Sequence, residues 1–363
     1  MVSSAKKEPR RWTMGLAIWF ILSVLMSLPA WGAMFVHRNW NDNSYFEMAN
    51  HTLWHFAVAM VCVSVLDVVL RWWHRWRAPV VSRLLHGALL LTPTIYLSSV
   101  AQPWTALPLA GITQSKQPNR TLSIAAWNVF IQNDQYETMI ETIKSLDADV
   151  LLLIEVTQEH RKGLANLSKV YPYSLWAPRN NTQGLAILSR VPGTKSREIV
   201  ISRSQMLALE TYIPAGEYTD EPIRLLGVHT FSPNEHGRFR VRDQQLADIG
   251  NWVKQSDGES IVLGDMNITP WSEAFKDLQS STNLVDSRRY RGYFATWPCG
   301  LGIVGIPIDH ALVSPGLKII DRQCGFPTLD SDHQWIRMTI DGTKVGHSPQ
   351  VSPDGNGISA KAP

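Results

Sequence analysis

Six stretches of this 363-residue chain join an apolar run to an acid, an amide or a histidine. Asn128 interrupts the run 122–130, Glu155 closes 150–154, and His229 closes 225–228. Asp265 and Asn267 follow 261–264, Asp309 enters the run that continues through His310 and Ala311, and Ser331-Asp332-His333 precedes 335–340. A single polar residue at a strand end is ordinarily a cap or a solvated turn. Six of them placed alike are better explained by strands that deliver their ends to one edge. The set is rich in hard oxygen donors, adds two histidines and contains no cysteine. Such donors suit Mg²⁺ or Mn²⁺ working on phosphate and do not suit a Cys/His zinc site.

The elements needed to hold these residues are legible from periodicity. Strands are predicted over 122–130, 149–155, 184–189, 206–213, 223–230, 261–266, 308–313 and 335–340. Met139, Ile140, Ile143 and Leu146 recur at helical spacing, and further helices are predicted over 239–255 and 272–279. The run 149–155 is apolar throughout its middle, as expected of a strand covered on both faces. Too many strands follow one another without a helix for a doubly wound parallel sheet. Two packed sheets with helices outside are the better expectation.

In this order, Asn128, Glu155, His229, Gly264-Asp265-Met266-Asn267, Asp309 and Ser331-Asp332-His333 resemble the endonuclease/exonuclease/phosphatase superfamily over about residues 122–340. The segments Gly264-Asp265-Met266-Asn267-Ile268-Thr269-Pro270-Trp271-Ser272, Thr296-Trp297-Pro298 and Ile308-Asp309-His310 are very similar to its membrane-attached bacterial branch. The resemblance implies an α+β, DNase-like fold, a four-layer αββα sandwich. It also implies Mg²⁺- (or Mn²⁺-) dependent hydrolysis of a phosphodiester or phosphomonoester by water. Carried over by motif, Glu155 holds the cation with Asn128 and Asp332 nearby. Asp265 orients or deprotonates the water, Asn267 positions the phosphate, and His229 faces it. His333, oriented by Asp309, stabilises the pentacovalent phosphorane or protonates the leaving oxygen. The chain departs from the pattern at Phe130, where a second Asn or Asp is common and for which Asn133 is a candidate substitute. It departs again at Ile154, before the metal Glu, and at Gln334-Trp335, after the last His.

Other signals have two readings each. Arg238, Arg240 and Arg242 form one basic trio and Arg288, Arg289 and Arg291 another; both serve either as phosphate or anionic-headgroup grips or as solvated surface. Arg238, Asn133 and Trp271 are candidate substrate contacts, with core packing the competing role for Trp271. Cys299 and Cys324 are expected to form a disulfide, and Cys62 to act as a small apolar residue. Residues 120–343 carry 22 Lys/Arg against 26 Asp/Glu, which argues against a broad electrostatic DNA footprint without excluding a nuclease. The substrate is either nucleic acid or a phospholipid or lipid-linked phosphoester. No obligate protein partner is evident. From another class, the domain could be an inactive phosphate-binding module, an alternative that the full residue set disfavours.

The first third of the chain is of a different kind. Residues 1–119 hold ten Lys/Arg against four Asp/Glu and nine of the 15 tryptophans. Residues 13–36 contain no charged side chain, 53–70 carry only Asp67, and 80–100 are interrupted by Arg83, His86 and Pro93. These runs predict three transmembrane helices within a membrane region at 1–105. A linker follows at 106–120, then a catalytic domain at 121–342 and a disordered tail at 343–363. A cleaved signal peptide is disfavoured for the first run by its length. Lys6, Lys7, Arg10, Arg11, Arg71, Arg75 and Arg77 place the N-terminus and the second loop in the cytoplasm. The resulting expectation is a multi-pass protein of the bacterial inner (plasma) membrane, its catalytic domain on the extracytoplasmic, periplasmic side and its helices in contact with the lipid bilayer.

Overall fold

The computed structural model describes residues 10–39, 50–74, 80–105, 120–201, 203–233, 237–325 and 331–343. Two six-stranded mixed sheets form its centre. The first has the order β11-β12-β1-β2-β4-β3 and the second β5-β6-β7-β8-β10-β9. The strands of the first are β1 (Thr121–Asn128), β2 (Val150–Ile154), β3 (Tyr173–Ala177), β4 (Leu185–Ser189), β11 (Lys318–Gly325) and β12 (Trp335–Asp341). Those of the second are β5 (Lys195–Ile201), β6 (Met206–Ile213), β7 (Ile223–His229), β8 (Glu259–Asp265), β9 (Val285–Asp286) and β10 (Asp309–Val313).

Side-chain alternation along the strands explains the layering. In β1, Leu122, Ile124 and Ala126 point into the space between the sheets, where they meet Leu225, Ile261 and Leu263 of the other sheet. Ala125 and Trp127 point the other way, against Met139, Ile143 and Leu146 of helix α4 (Tyr136–Leu146). On the far side, Leu226, Val228 and Val262 pack beneath Leu246 and Ile249 of α6 (Arg238–Lys254) and Phe275 and Leu278 of α7 (Glu273–Thr282). A short α5 (Gln158–Gly163) follows β2. Helix, sheet, sheet, helix is the expected sandwich, with a core on both faces of each sheet.

All eight predicted strands are present, with β6 at its predicted bounds and the ends of the others shifted by at most two residues. Four strands escaped the sequence reading, β3, β5, β9 and β11, and they are the four sheet edges. β5, for example, alternates mostly between exposed and half-buried residues, with only Ile201 buried. An edge strand needs no apolar run, and charged side chains there deter pairing with another chain.

Three long helices precede the sandwich: α1 (Arg10–Asn39), α2 (Leu53–His74) and α3 (Val80–Thr105). Only two, through Ile18–Phe35 and Leu53–Leu70, are apolar enough over 18 residues to cross a membrane, with mean hydropathies of 1.8 and 2.2. The third expected span is a helix but falls short of that measure. The polarity of the bundle is inverted relative to a water-soluble one. Ile21, Leu25, Val65, Val68, Leu85 and Ile95 face outward, whereas Ser23, Asp67 and His86 are buried. Trp19 Nε1 donates to Asp67 Oδ1 at 2.9 Å, Ser23 Oγ meets His86 Nε2 at 2.6 Å, and Trp31 Nε1 donates to the Leu89 carbonyl at 3.0 Å. Of the polar groups that lower the hydropathy of α3, His86 is turned inward and met by Ser23, whereas Arg83 and Thr92 are exposed.

The bundle and the sandwich share a continuous core. Trp54 stacks on Tyr293 with centroids 4.7 Å apart, and Trp271 Nε1 donates to the Asn50 carbonyl. His55 Nε2 donates to the Val304 carbonyl at 2.7 Å. The linker expected over 106–120 and the tail over 343–363 fall outside the described residues, apart from Arg120 and Thr343. So do the basic residues 6, 7, 75 and 77 on which the orientation rests.

The expected Cys299–Cys324 disulfide is absent: Cys62, Cys299 and Cys324 are all free. The Cys324 thiol instead donates towards Gln334 Oε1 at 3.1 Å, and its burial pushes the thiol pKa up to about 12. Titration of the unreduced, denatured chain should therefore find three thiols. Gly264, next to Asp265, is required by a close backbone approach. It sits at φ +145°, and a Cβ there would lie 1.9 Å from the Val228 carbonyl oxygen across the β7–β8 pair. Gly264→Ala should cost about 2–4 kcal/mol, seen as a fall of roughly 5–15 °C in the Tm of the detergent-solubilised chain.

Candidate active site

Strand direction gathers the six polar stretches. β1 and β2 run parallel, as do β7 and β8, so Asn128, Glu155, His229 and Asp265 all arise at carboxyl ends. β10 is antiparallel to β8 and β12 to β1, so the amino ends of these two strands reach the same edge. Register places Asp265 beside His229 on one side and Asp309 on the other.

Asp265 lies at the centre, 1% exposed. His229 Nε2 is 3.6 Å and His333 Nε2 3.7 Å from its Oδ2. The same oxygen accepts from Asn128 Nδ2 at 3.2 Å, and that amide also donates to Glu155 Oε1 at 3.1 Å. Asp265 Oδ1 accepts the Asn267 N–H at 2.9 Å. Each partner is itself fixed. His229 Nδ1 donates to the Thr182 carbonyl at 2.8 Å, which turns Nε2 towards the site. Glu155 Oε2 accepts the Ile131 N–H at 3.0 Å. Asn267 Nδ2 donates to the Thr230 carbonyl, and the Asn267 carbonyl accepts from Arg242 Nη1. Ser331 Oγ donates to the Asn128 carbonyl at 2.7 Å and accepts the His333 N–H at 3.0 Å, which ties the last loop to β1.

Phe130, Glu155 and Asn267 all adopt the left-handed region, at φ 65°, 65° and 47°. Such conformations cost energy in non-glycine residues and gather where a chain must aim a side chain off the end of a strand. Phe130 is thereby accounted for. Its N–H caps Asn128 Oδ1 at 3.1 Å, so its backbone serves the site and its side chain need not.

His333 and Asp309 form a buried pair, Nδ1 to Oδ2 at 2.9 Å. Burial alone would lower the His333 pKa, but the charges of Asp309 and Asp265, with the Asp309 hydrogen bond, push it up to about 10. Burial would raise Asp309, yet the charge and hydrogen bond of His333, with Thr296 behind, hold it below the usual carboxylate range. Asp265 is pushed up to about 6 by burial and then by repulsion from Asp309, against the pull of His333 and His229.

The donor chemistry fits a hard dication. Asp265, Asp309 and His333 have potential ligand atoms within 4.8 Å of one another, and Asp309 Oδ1 is buried without a hydrogen-bond partner, so the fit rests on the oxygen donors, His333 being held as a cation by Asp309. Glu155, half-buried and bridged to Asp265 through Asn128, adds a carboxylate beside this cluster. Asp332, expected near the cation, is exposed and accepts from Trp297 Nε1 at 3.0 Å, so its side chain braces the rim.

The candidate substrate contacts separate. Trp271 is 1% exposed and packed under α2, which leaves no ring face for a substrate. Asn133 Oδ1 accepts the Gln135 N–H and its carbonyl accepts from His160 Nε2, so it shapes the turn before α4 and does not replace the missing second site amide. Arg238 is exposed over the Phe231 ring, just past the end of β7. Neither basic trio is uniform. Arg242 is buried and holds the Asn267 carbonyl, while Arg288 is buried against Asp286 with its Nη2 3.0 Å from His310 Nδ1. His310 in turn donates Nε2 to the Ile268 carbonyl at 2.7 Å, so this ion pair supports the loop after Asp265. Sequence reasoning missed the Thr182 and Thr230 carbonyls and the Ile131 N–H, which as backbone groups leave no residue-type signal. Thr296, whose Oγ accepts the Ile308 and Asp309 N–H groups, was visible only as part of a motif.

An α+β sandwich with a carboxylate–histidine cluster at one edge defines a DNase-like protein. The sequence profile of the Endonuclease/Exonuclease/phosphatase family matches residues 125–333, and the chain belongs to that family. Among curated proteins, none matches the sequence. Solved structures share the fold at low identity. D. rerio TDP2 complexed with a single-strand DNA product is 18% identical, with 61% of this chain and 98% of that chain covered at a TM-score of 0.51. An AP endonuclease from Archaeoglobus fulgidus is 17% identical, with 61% and 99% covered at 0.51. A functionally unknown conserved protein from Enterococcus faecalis is 18% identical, with 61% and 100% covered at 0.50.

The charge pair generates a titration test. His333 should stay protonated until about pH 10 in the metal-free chain. In Asp309→Asn it loses the neighbour that raises it most, so its midpoint should fall by more than about one unit, followed by NMR of the imidazole. The carboxyl of Asp265, relieved of the same charge, should ionise at lower pH in that variant.

Proposed function

We propose that this chain is a membrane-anchored, divalent-metal-dependent phosphoesterase that hydrolyses its substrate by direct attack of water. The observation that carries the reading is the placing of buried Asp265 between the Nε2 atoms of His229 and His333, at 3.6 and 3.7 Å. A carboxylate with a raised pKa is a better base than an exposed one, and a histidine held cationic keeps a positive charge and a proton at the site across the neutral range. In this reading Asp265 orients and deprotonates the water. His333, kept protonated by Asp309, stabilises charge on the phosphorus oxygens or protonates the leaving oxygen. His229, with Nδ1 committed to Thr182, turns Nε2 to the phosphate, and Asn267 steadies Asp265 through its N–H. Glu155 and Asn128 would hold Mg²⁺ or Mn²⁺, which when bound offsets charge on the phosphoryl oxygens.

Two substrate classes remain in this reading. Nucleic acid is supported by the relative solved with a DNA product. A phosphoester carried in a membrane is supported by the helices, since a site tethered to a bilayer meets headgroups at high effective concentration. The outward apolar faces of α1, α2 and α3, with Ser23, Asp67 and His86 turned inward, support anchoring. The shared core between α2 and the sandwich requires the amino end of α2 and the catalytic domain to lie on the same side. Taken with a cytoplasmic N-terminus read from the basic residues, this supports an extracytoplasmic catalytic domain on a protein of the bacterial inner membrane.

The full chain in detergent should hydrolyse bis(p-nitrophenyl) phosphate or nick supercoiled plasmid in the presence of Mg²⁺, and chelator should abolish both. Asp265→Ala and His333→Ala should each lower turnover by about 10²–10⁴-fold with Tm retained. Glu155→Ala should chiefly raise the metal concentration needed. Full activity in Asp265→Ala would overturn the mechanism. The rate should rise as pH passes about 6, where Asp265 ionises, and fall near 10, where His333 loses its proton.

A further inference from the structure

A loop between the catalytic rim and the helices exposes an apolar tip. Trp297 and Ile306 close it with a β-bridge, and it turns through Gly300 and Gly302, both at positive φ. At its tip Leu301, Ile303 and Val304 are 51%, 69% and 60% exposed, while the carbonyls of Val304 and Gly305 are both taken. His55 Nε2, in the first turn of α2, donates to the former at 2.7 Å, and Tyr293 Oη, whose ring stacks on Trp54, donates to the latter at 2.9 Å. The tip is therefore level with the start of the apolar stretch Leu53–Leu70. The other end of the loop meets the site. Trp297 Nε1 donates to Asp332 Oδ2 and the Cys299 N–H to the Asp332 carbonyl, one residue before His333.

The geometry points to a membrane-docking loop. We propose that Leu301, Ile303 and Val304 enter the interfacial layer of the bilayer beside α2 and hold the catalytic edge at headgroup level. Whatever covers the outward face of α2 must extend over a loop bonded to its first turn, and that face carries Val61, Val65 and Val68, the chemistry of lipid and not of a polar partner. Exposed aliphatics at the water boundary gain by entering lipid, while the satisfied loop carbonyls incur no desolvation penalty. Docking would leave the site open at the bilayer surface and favour phosphoesters presented there. The proposal rests on the membrane reading above.

Photocrosslinking tests it with a readout independent of catalysis. The full chain is reconstituted in vesicles of phosphatidylethanolamine and phosphatidylglycerol, with p-benzoylphenylalanine at position 303 or, as a control, at exposed position 257, before the amino end of β8 and away from the catalytic edge. Alkaline carbonate extraction of the wild-type chain is run alongside. Retention in the membrane with lipid adducts at 303 and none at 257 is the expected result. Retention with no adduct at 303, or with equal adducts at both positions, overturns the docking loop and leaves the anchor standing. Adducts at 303 to an added DNA oligonucleotide in place of lipid would assign the tip to nucleic acid and overturn it likewise. Release of the wild-type chain by carbonate would remove the anchor itself, and the loop proposal with it.

Discussion

A carboxylate withdrawn almost wholly from water is the constraint around which this structure is organised. Burying an unpaired charge is so costly that the group ordinarily neutralises instead. Asp265 keeps a use for its charge because three strands and two loops converge to supply cationic or donor partners, namely His229, His333, Asn128 and the Asn267 N–H. Each of these must be oriented in turn, by the Thr182 carbonyl, Asp309, Glu155 and Thr230 respectively. The parallel pairing of β7 with β8 and the antiparallel entry of β10 are what the sheet must do to bring these groups within 4 Å of Asp265 or of one another. Even the ion pair of Arg288 and Asp286 belongs to this chain of support, since it carries His310 and through it the loop that follows Asp265.

The same accounting governs the helices with opposite sign. In the sandwich, apolar side chains fill the interior and charges are expelled or paired. In the bundle, aliphatic side chains cover the outside and hydroxyl, carboxylate and imidazole groups meet within. One chain carries both patterns, each confined to its own part. They meet at the aromatic contact of Trp54, Tyr293 and Trp271, where amphipathic rings suit the boundary between them.

The sequence reveals what burial imposes and conceals what neighbours impose. Interior strands such as Val150–Ile154 must be apolar throughout, so they announce themselves; edge strands such as Lys195–Ile201 have one free side and read like loops. Polar residues that end buried strands stand out for the same reason, and hence Asn128, Glu155, His229, Asp265, Asp309 and His333 were legible as a set. Arg288, Arg242 and Trp271 belong to types usually met at surfaces or in either role. Their burial depends on Asp286, the Asn267 carbonyl and the Asn50 carbonyl, partners that only the folded chain brings near. The expected disulfide does not form, and Cys324 Sγ lies instead against Gln334 Oε1, a partner set by the fold.

The hydrogen bond from Trp271 to Asn50 makes the helices and the sandwich answerable to one another. A chain clipped in the linker would carry away a sandwich in which the indole N–H has lost its acceptor, a loss of about 1–3 kcal/mol, and in which the Tyr293 ring has lost the face that Trp54 covers. The helices would be left with Trp54 bare. Separating the helices from the sandwich would thus yield two damaged pieces, each exposing the surface it had shared with the other.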